Sequence, residues 1–529
     1  MSQVWDAVII GGGHNGLVTA AYLARGGLRV LVLERRKILG GACVTEEIFP
    51  GFRVSTASYL CSLLSSRIIS ELDLCAHGYQ VYAKDPTFFT PFPDGRHLLM
   101  WQNQEKTCEE IAKFSARDAA QYPKYEAFIE QLASFVDPLL LKPAPNLNDP
   151  DLKDMAGLAG LGWGLAQLSG QARVGLMRIF TQSVADFLDT WFESEQVKVT
   201  LATDGVIGVN GGPRSAGTAY VLLHHLMGSL NGQRGVWGFV RGGMGTVAKA
   251  LAAAAQGAGA TIRSGVEVKH IQTRNGCANG VVLRSGEEIG ARLVVSNLDP
   301  KRTFLDLVEA KALNQEFLQQ IGAIRMKGSS MKINLALDDL PSFKVLPGSD
   351  LMSHHKATIH ICPDIEYLER AWDDAKYGRP SDRPFLEITI PTTYDDSLAP
   401  PGKHIMGVFL QYTPYDLKDA DWADVKEQYA DHVMDLIEEQ APGFKSLILH
   451  RQVLSPLDLE ETFGLTGGNI FHGDMSLDQI FSLRPLPGWV GYRTPVKNLY
   501  LCGAGTHPGG GVMGAPGYNA ARAILADQY

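Results

Sequence analysis

At 529 residues, the chain is longer than one hydrophobic core supports, and two or more domains are expected. A net charge of −9 and a pI near 5.9 argue against a nucleic-acid partner, which would favour a basic surface. Seven scattered cysteines without a C-x-x-C argue against a redox-active disulfide or a zinc framework, and no metal site is read; a reducing compartment is expected.

From the start of the chain, Met1–Asp6 runs directly into the apolar Val8-Ile9-Ile10, which leaves no room for a targeting segment. Val8–Ile10 suits a buried parallel strand. Gly11, Gly13 and Gly16 then fit G-x-G-x-x-G: the first for a tight turn, the second for close approach of a pyrophosphate, the third for helix–strand packing. A helix from about Asn15 to Arg25 directs its N-terminal N–H groups at phosphate, beside His14. A second strand, Arg29–Leu33, ends at Glu34, where a carboxylate can take ribose hydroxyls. Gly40-Gly41-Ala42 follows, a glycine pair typical of FAD enzymes of the glutathione-reductase-like class. Many such enzymes carry Arg where Ala42 stands, and Arg35 or Arg36 can supply that charge; a solvated basic turn is the competing reading.

From about 105 to 230 the pattern is helical: Ser115–Phe135, Met155–Phe192 and Ser215–Leu230. The longest apolar stretch, Met155–Ala166, is too short to span a bilayer. With Lys153, Arg173 and Arg178 nearby, it reads as an interfacial membrane helix or as a buried or lid helix. The expected location is cytoplasmic or peripheral to the inner face of a membrane. Gly242-Gly243-Met244-Gly245 opens a helix, Thr246–Ala258, but lacks the strand–turn–acid context of a second dinucleotide site. A hairpin, Val266–Ile271 and Gly280–Leu283 around Asn275-Gly276, leads to a strand at Ala291–Ser296. Further strands are expected at Met331–Leu337, Thr358–Cys362, Phe385–Pro391 and His404–Tyr412, with a helix at Ala423–Gln440.

Near the far end, Leu499-Tyr500-Leu501 leads into Gly503-Ala504-Gly505-Thr506-His507-Pro508-Gly509-Gly510-Gly511. Two glycine segments at opposite ends that meet around one elongated ligand point to FAD. The expected fold is α/β (α+β): a discontinuous Rossmann-type FAD-binding domain of glutathione-reductase/amine-oxidase type (1–70, 235–304, 486–529). A substrate domain (71–234 and 305–485) is interleaved with it. Gly503, Thr506, Gly510, Gly511, Val512 and Met513 are read as flavin or ribityl contacts, with the final helix, Gly517–Asp527, stabilising negative charge on the flavin.

Gly12-His14-Asn15-Gly16-Leu17-Val18, Thr45-Glu46-Glu47, Ser58-Tyr59-Leu60, Gly467–His472, Met475–Gln479 and Gly503–Gly514 together resemble the phytoene desaturase-like FAD oxidoreductases. The likeness is strongest toward the group of pyridine nucleotide-disulfide oxidoreductase domain-containing protein 2 and its bacterial relatives, then toward desaturase-type beta-carotene ketolases. The resemblance implies an FAD-dependent oxidoreductase that desaturates, oxygenates or isomerises a hydrophobic substrate of isoprenoid or polyene type by hydride transfer to flavin N5. It also places Val268 at the adenine. Lys332 is similar to the lysine that holds a water at flavin N5 in monoamine-oxidase-like enzymes, and His472 is a candidate general base. The alternatives are an oxygen-using amine- or alcohol-type oxidase and a flavin-bound regulatory protein of low turnover. Without an NAD(P)H domain, the expected electron acceptor is oxygen, a quinone or a protein; a homo-oligomer is compatible.

Overall fold

Two seven-stranded sheets organise the chain, and each gathers strands from distant parts of the sequence. The computed structural model describes residues 4–230, 232–348 and 350–528. Residues 1–3 of the leader reading and the terminal residue 529 lie outside them. The first sheet has a parallel core in the order Thr261–Ser264, Val30–Glu34, Trp5–Ile10, Glu288–Ser296, Leu499–Leu501. Its strands are aliphatic because both faces are covered, one by helices and the other by the hairpin 268–283 with Phe304, Phe317 and Ile321; all five positions of Val30–Glu34 are buried. The antiparallel strands Val268–Arg274 and Cys277–Leu283 extend the sheet along the first residues of Glu288–Ser296.

Helix His14–Arg25 packs between Gly245–Gly257 and the last helix, Ala515–Gln528. Ala20, Ala21, Ala248, Ala520 and Ala521 are all fully buried there, and such small side chains let the helix backbones approach closely. The two ends of the chain are therefore held together by the first helix.

The second sheet runs Ile448–Leu454, Ser330–Leu337, His404–Gln411, Phe385–Thr389, Thr358–Ile361, Phe88–Pro91, His97–Met100. All its pairings are antiparallel except that of Thr358–Ile361 with Phe88–Pro91. Four of these strands match the expected ones closely; Phe88–Pro91, His97–Met100 and Ile448–Leu454 are additional. Side chains alternate across a strand. Met331, Ile333, Leu335 and Leu337 thus join one core with Val433, Met434 and Ile437 of helix Trp422–Gln440. Lys332 and Asn334 take the opposite face.

A helical block stands over that opposite face. The single helical stretch expected at Met155–Phe192 is three helices, Leu152–Gln167, Gly170–Thr181 and Val184–Asp189. Ser169 and Ser183 break it, each accepting a backbone N–H of the following helix as an N-cap. Leu152–Gln167 has no buried residue, so it is not a core helix. Among the described residues, no helix is long and apolar enough to cross a membrane.

Candidate functional site

One cavity follows both glycine segments and continues to the second sheet; with its mouth it encloses about 2380 Å³ of empty space. At its nucleotide end, helix His14–Arg25 starts at Gly13 with no side-chain cap and no acid in its first turn. Its first N–H groups are therefore available to an anion. Gly13 is compelled by contact: a Cβ there would lie 2.7 Å from Asn297 Nδ2. Gly11 adopts φ +95°, which favours glycine. Glu34 accepts the N–H groups of Gly12 and Arg36, each at 2.8 Å, which fixes its carboxylate at the cavity edge with acceptor capacity to spare. Asn15 Oδ1 and His472 Nδ1 are buried with no partner among the described residues. Uncapped N–H groups, orphaned polar atoms and a glycine cradle are what a bound dinucleotide requires.

Of the residues read as cofactor contacts, Gly11, Gly13, His14, Asn15, Glu34, Arg35, Gly40, Gly41, Ala42, Val268, Gly510, Gly511 and Val512 line this cavity. Gly16, Gly503, Thr506 and Met513 are not among its lining residues. A Cβ on Gly16 would fall 2.3 Å from the Gly11 carbonyl oxygen, so its role is helix–strand packing. Gly503 packs on the Asn297 carbonyl in the same way. The Thr506 hydroxyl donates to the Gly503 carbonyl, and Met513 turns into the core of the helical block. Opposite Ala42, Arg36 is paired with Glu46 at 2.8 Å, and Arg35 donates to the carbonyls of Glu461 and Thr462. Arg302, which no sequence motif marks, also lines the cavity.

Before the last helix, Val512 holds φ +57° and Gly511 φ +114°. A β-branched residue in that region is strained, and such strain concentrates at binding sites. His472, also at φ +57°, lies on the loop that buried Arg484 ties down through the carbonyls of Phe471, Asp474 and Ala504. Burial, with the charges of Arg484 and Arg302, pushes His472 down to about 4. Burial, with His472 beside it, does the same to His14. Both imidazoles are neutral at neutral pH, and His472 is a poor general base there.

The inner wall is built by register. Lys332 faces Phe409, Phe409 faces Glu387, and Glu387 faces His360, in one row across four adjacent strands. Lys332 is 2% exposed, and its Nζ has no hydrogen-bond partner among the described residues. It stands 3.8 Å from the centroid of the Tyr59 ring, a cation–π geometry. Burial pushes Lys332 down to about 7, against the opposing charge of Glu387. Tyr59 donates to Glu387 Oε1 at 2.6 Å, and His360 Nε2 lies 3.3 Å from Oε2. Burial pushes Glu387 up, but His360, Tyr59 and the charge of Lys84 reverse this and hold it below its ordinary range. Lys84, Asp204, His225, Tyr59 and Glu387 all line the cavity, and of these only Tyr59 stands out in the sequence. A signal exists for the row: Lys332, Glu387 and His360 each stand between two aliphatic residues in a strand.

Residues 9–67 match the NAD(P)-binding Rossmann-like domain, and residues 176–525 match the family of flavin containing amine oxidoreductases. The rat pyridine nucleotide-disulfide oxidoreductase domain-containing protein 2 is 44% identical over 99% of this chain and 94% of its own length. A limonene dehydrogenase subunit from Castellaniella defragrans is 28% identical over 100% of this chain and 96% of its own. The neurosporene-forming phytoene desaturase of Cereibacter sphaeroides is 27% identical over 98% and 94%. Among solved structures, cyclohexylamine oxidase of Brevibacterium oxydans superposes with a TM-score of 0.56 at 18% identity, covering 99% of this chain and 100% of that one. That likeness concerns the fold alone.

Proposed function

Because this chain belongs to the flavin-containing amine oxidoreductase family and has phytoene desaturase-like relatives, we propose that it binds FAD along the two glycine segments and oxidises a largely apolar substrate held against the Lys332 wall. Bound FAD would supply a two-electron hydride acceptor. The residues of the chain do the rest. Gly13, Glu34, Arg302 and the start of helix His14–Arg25 hold the dinucleotide. Helix Ala515–Gln528 turns its positive end toward the Gly510–Val512 segment and favours negative charge there. Lys332, poised near neutrality, holds a water or exchanges a proton at Nζ.

The carrying observation is Lys332: a buried amine with no hydrogen-bond partner among the described residues, in the same cavity as the strained Val512 segment. Relatives named for limonene dehydrogenation and phytoene desaturation support an apolar substrate. The exposed Leu152, Trp163 and Met177, at 89%, 71% and 72%, support delivery of that substrate from a membrane surface. An oxygen-using amine- or alcohol-type oxidase is the second reading, favoured by Lys332 itself. The test is the visible spectrum of the purified protein, with mass analysis of an organic extract and of bound flavin. Flavin bands with a co-purified apolar molecule that bleaches them anaerobically support the proposal. Peroxide formed in step with loss of an amine or alcohol supports the second reading. A protein that neither carries nor takes up FAD overturns both.

A further inference from the structure

The inner end of the cavity is not the apolar tunnel that a pure hydrocarbon would need. Asp204 comes from the short turn Thr203–Gly205, in the helical block that covers the sheet, and it is 8% exposed. It lines the cavity, and among the described residues no protein donor reaches its carboxylate. Among the described residues Lys84, 2% exposed, hydrogen-bonds only neutral groups, the Thr358 hydroxyl and, at 3.4 Å, the Thr87 carbonyl, while the charges of Glu387 and Asp204 act on it through space. Lys332 Nζ stands over the Tyr59 ring and has no hydrogen-bond partner among the described residues. Glu387 alone is well provided, by Tyr59 and His360. Burying polar and ionisable groups without partners is costly, and such groups persist where a ligand or water completes them.

The sign of the missing partner follows from the set. Two acids, Asp204 and Glu387, and two amines, Lys84 and Lys332, line the same cavity. A ligand cation would be drawn to one pair and repelled by the other, and a ligand anion likewise. A neutral group that both donates and accepts meets no such conflict. Phe88, Ile207, Trp237, Phe409 and Phe471 line the cavity around these charges, so the rest of the ligand is apolar.

We propose that Asp204 and Lys84 form a subsite for a neutral oxygen function, a hydroxyl or carbonyl, at one end of an otherwise apolar substrate. The inference rests on the FAD-oxidoreductase reading and narrows its substrate class. Asp204 would accept from the hydroxyl and Lys84 would donate to the oxygen, which anchors one end of the molecule and sets which carbon lies nearest Lys332. Discrimination of this kind is large because the polar groups of the site are left unpaired by an analogue that lacks the oxygen.

The test is binding of four probes of equal chain length, octane, octan-1-ol, octanoate and octylamine, to the FAD-loaded protein. Binding is followed by perturbation of the flavin spectrum and by calorimetry. Octan-1-ol is expected to bind at least tenfold more tightly than each of the others. The margin over octane should vanish in Asp204→Leu and Lys84→Met at unchanged flavin content. The wild-type series decides the question even if a variant does not fold. Equal binding of octane and octan-1-ol, strongest binding of octylamine or octanoate, or a margin that survives in both variants would overturn the subsite. Failure of the flavin reading shows separately, as absence of flavin bands in the same sample.

Discussion

Replacing Lys332 with methionine should make the protein more stable and less active, and the gain should depend on pH. Lysine titrates at ~10.4 in an unfolded chain, whereas burial holds Lys332 at about 7 in the folded one. Between these values the unfolded state binds the proton and the folded state does not. Stability therefore rises with pH across that window and is lost as pH falls through about 7. At ~1.36 kcal/mol per unit, the buried amine costs roughly 4 kcal/mol at pH 7 and roughly 2 kcal/mol at pH 9. Methionine has similar length and no charge, so Lys332→Met removes that cost. With ~2.1 cal/mol/K of unfolding entropy per residue, a chain of 529 residues should melt about 4 °C higher at pH 7. The assay is denaturant unfolding of both proteins at several pH values from 6 to 9, each saturated with FAD so that ligand linkage is equal. The difference between the two proteins should shrink by about 2 kcal/mol from pH 7 to 9, while anaerobic flavin reduction slows by at least ~100-fold. A stability difference that stays flat with pH would mean that Lys332 titrates like an exposed lysine, and the case for a poised amine would fall.

Glu387→Gln removes the charge that opposes burial at Lys332. The amine should then lose its proton at a lower pH, and the acid limb of the flavin-reduction profile should move down with it; stopped-flow rates against pH would show this. Gly16→Ala and Gly41→Ala should separate packing from binding. The first places a Cβ 2.3 Å from a backbone oxygen and should abolish soluble protein. The second, at φ +60° with its nearest neighbour at 3.4 Å, should cost about 1 kcal/mol of folding and weaken FAD affinity, read by fluorescence titration. Serine at Leu152, Trp163 and Met177 together should leave the melting temperature unchanged, since all three are exposed. The same variant should lower flotation with anionic liposomes several-fold.

The nucleotide end is legible in the sequence because its constraints are local. Gly11, Gly13 and Glu34 lie within one β–α–β unit, where Gly11 makes the turn at φ +95° and Glu34 accepts the Gly12 N–H, although the contact that compels Gly13 comes from distant Asn297. The strands at Phe88–Pro91 and His97–Met100 escape detection for want of length, four residues each, although Asp94-Gly95 between two apolar runs is a hairpin signal. Ile448–Leu454 escapes for another reason. It is an edge strand whose His450 and Arg451 break the alternation that reveals a half-buried strand. The glycine-rich stretch that reads as one contact surface alternates between cavity and core: Gly510–Val512 line the cavity, whereas Met513 packs in the core of the helical block.

The inner wall is illegible in a different sense. In Met331–Leu337 the alternation correctly assigns Lys332 and Asn334 to one face and the aliphatic residues to the other. On a two-layer domain that polar face would meet water, and Lys332, Glu387 and His360 would be ordinary solvated side chains. Here Lys332 and Asn334 meet Tyr59 and Thr56, and His360 meets Thr203, all contributed by sequence more than a hundred residues away. Periodicity reports which side of a strand is polar, but the layer covering that side decides whether the charge is solvated or desolvated. Desolvation brings Lys332 to about 7 and Asp204 to about 7, the latter with the charge of Glu387 assisting. The chemistry of the wall is thus a property of two layers meeting, and only residues whose neighbours lie close in sequence can disclose theirs in advance.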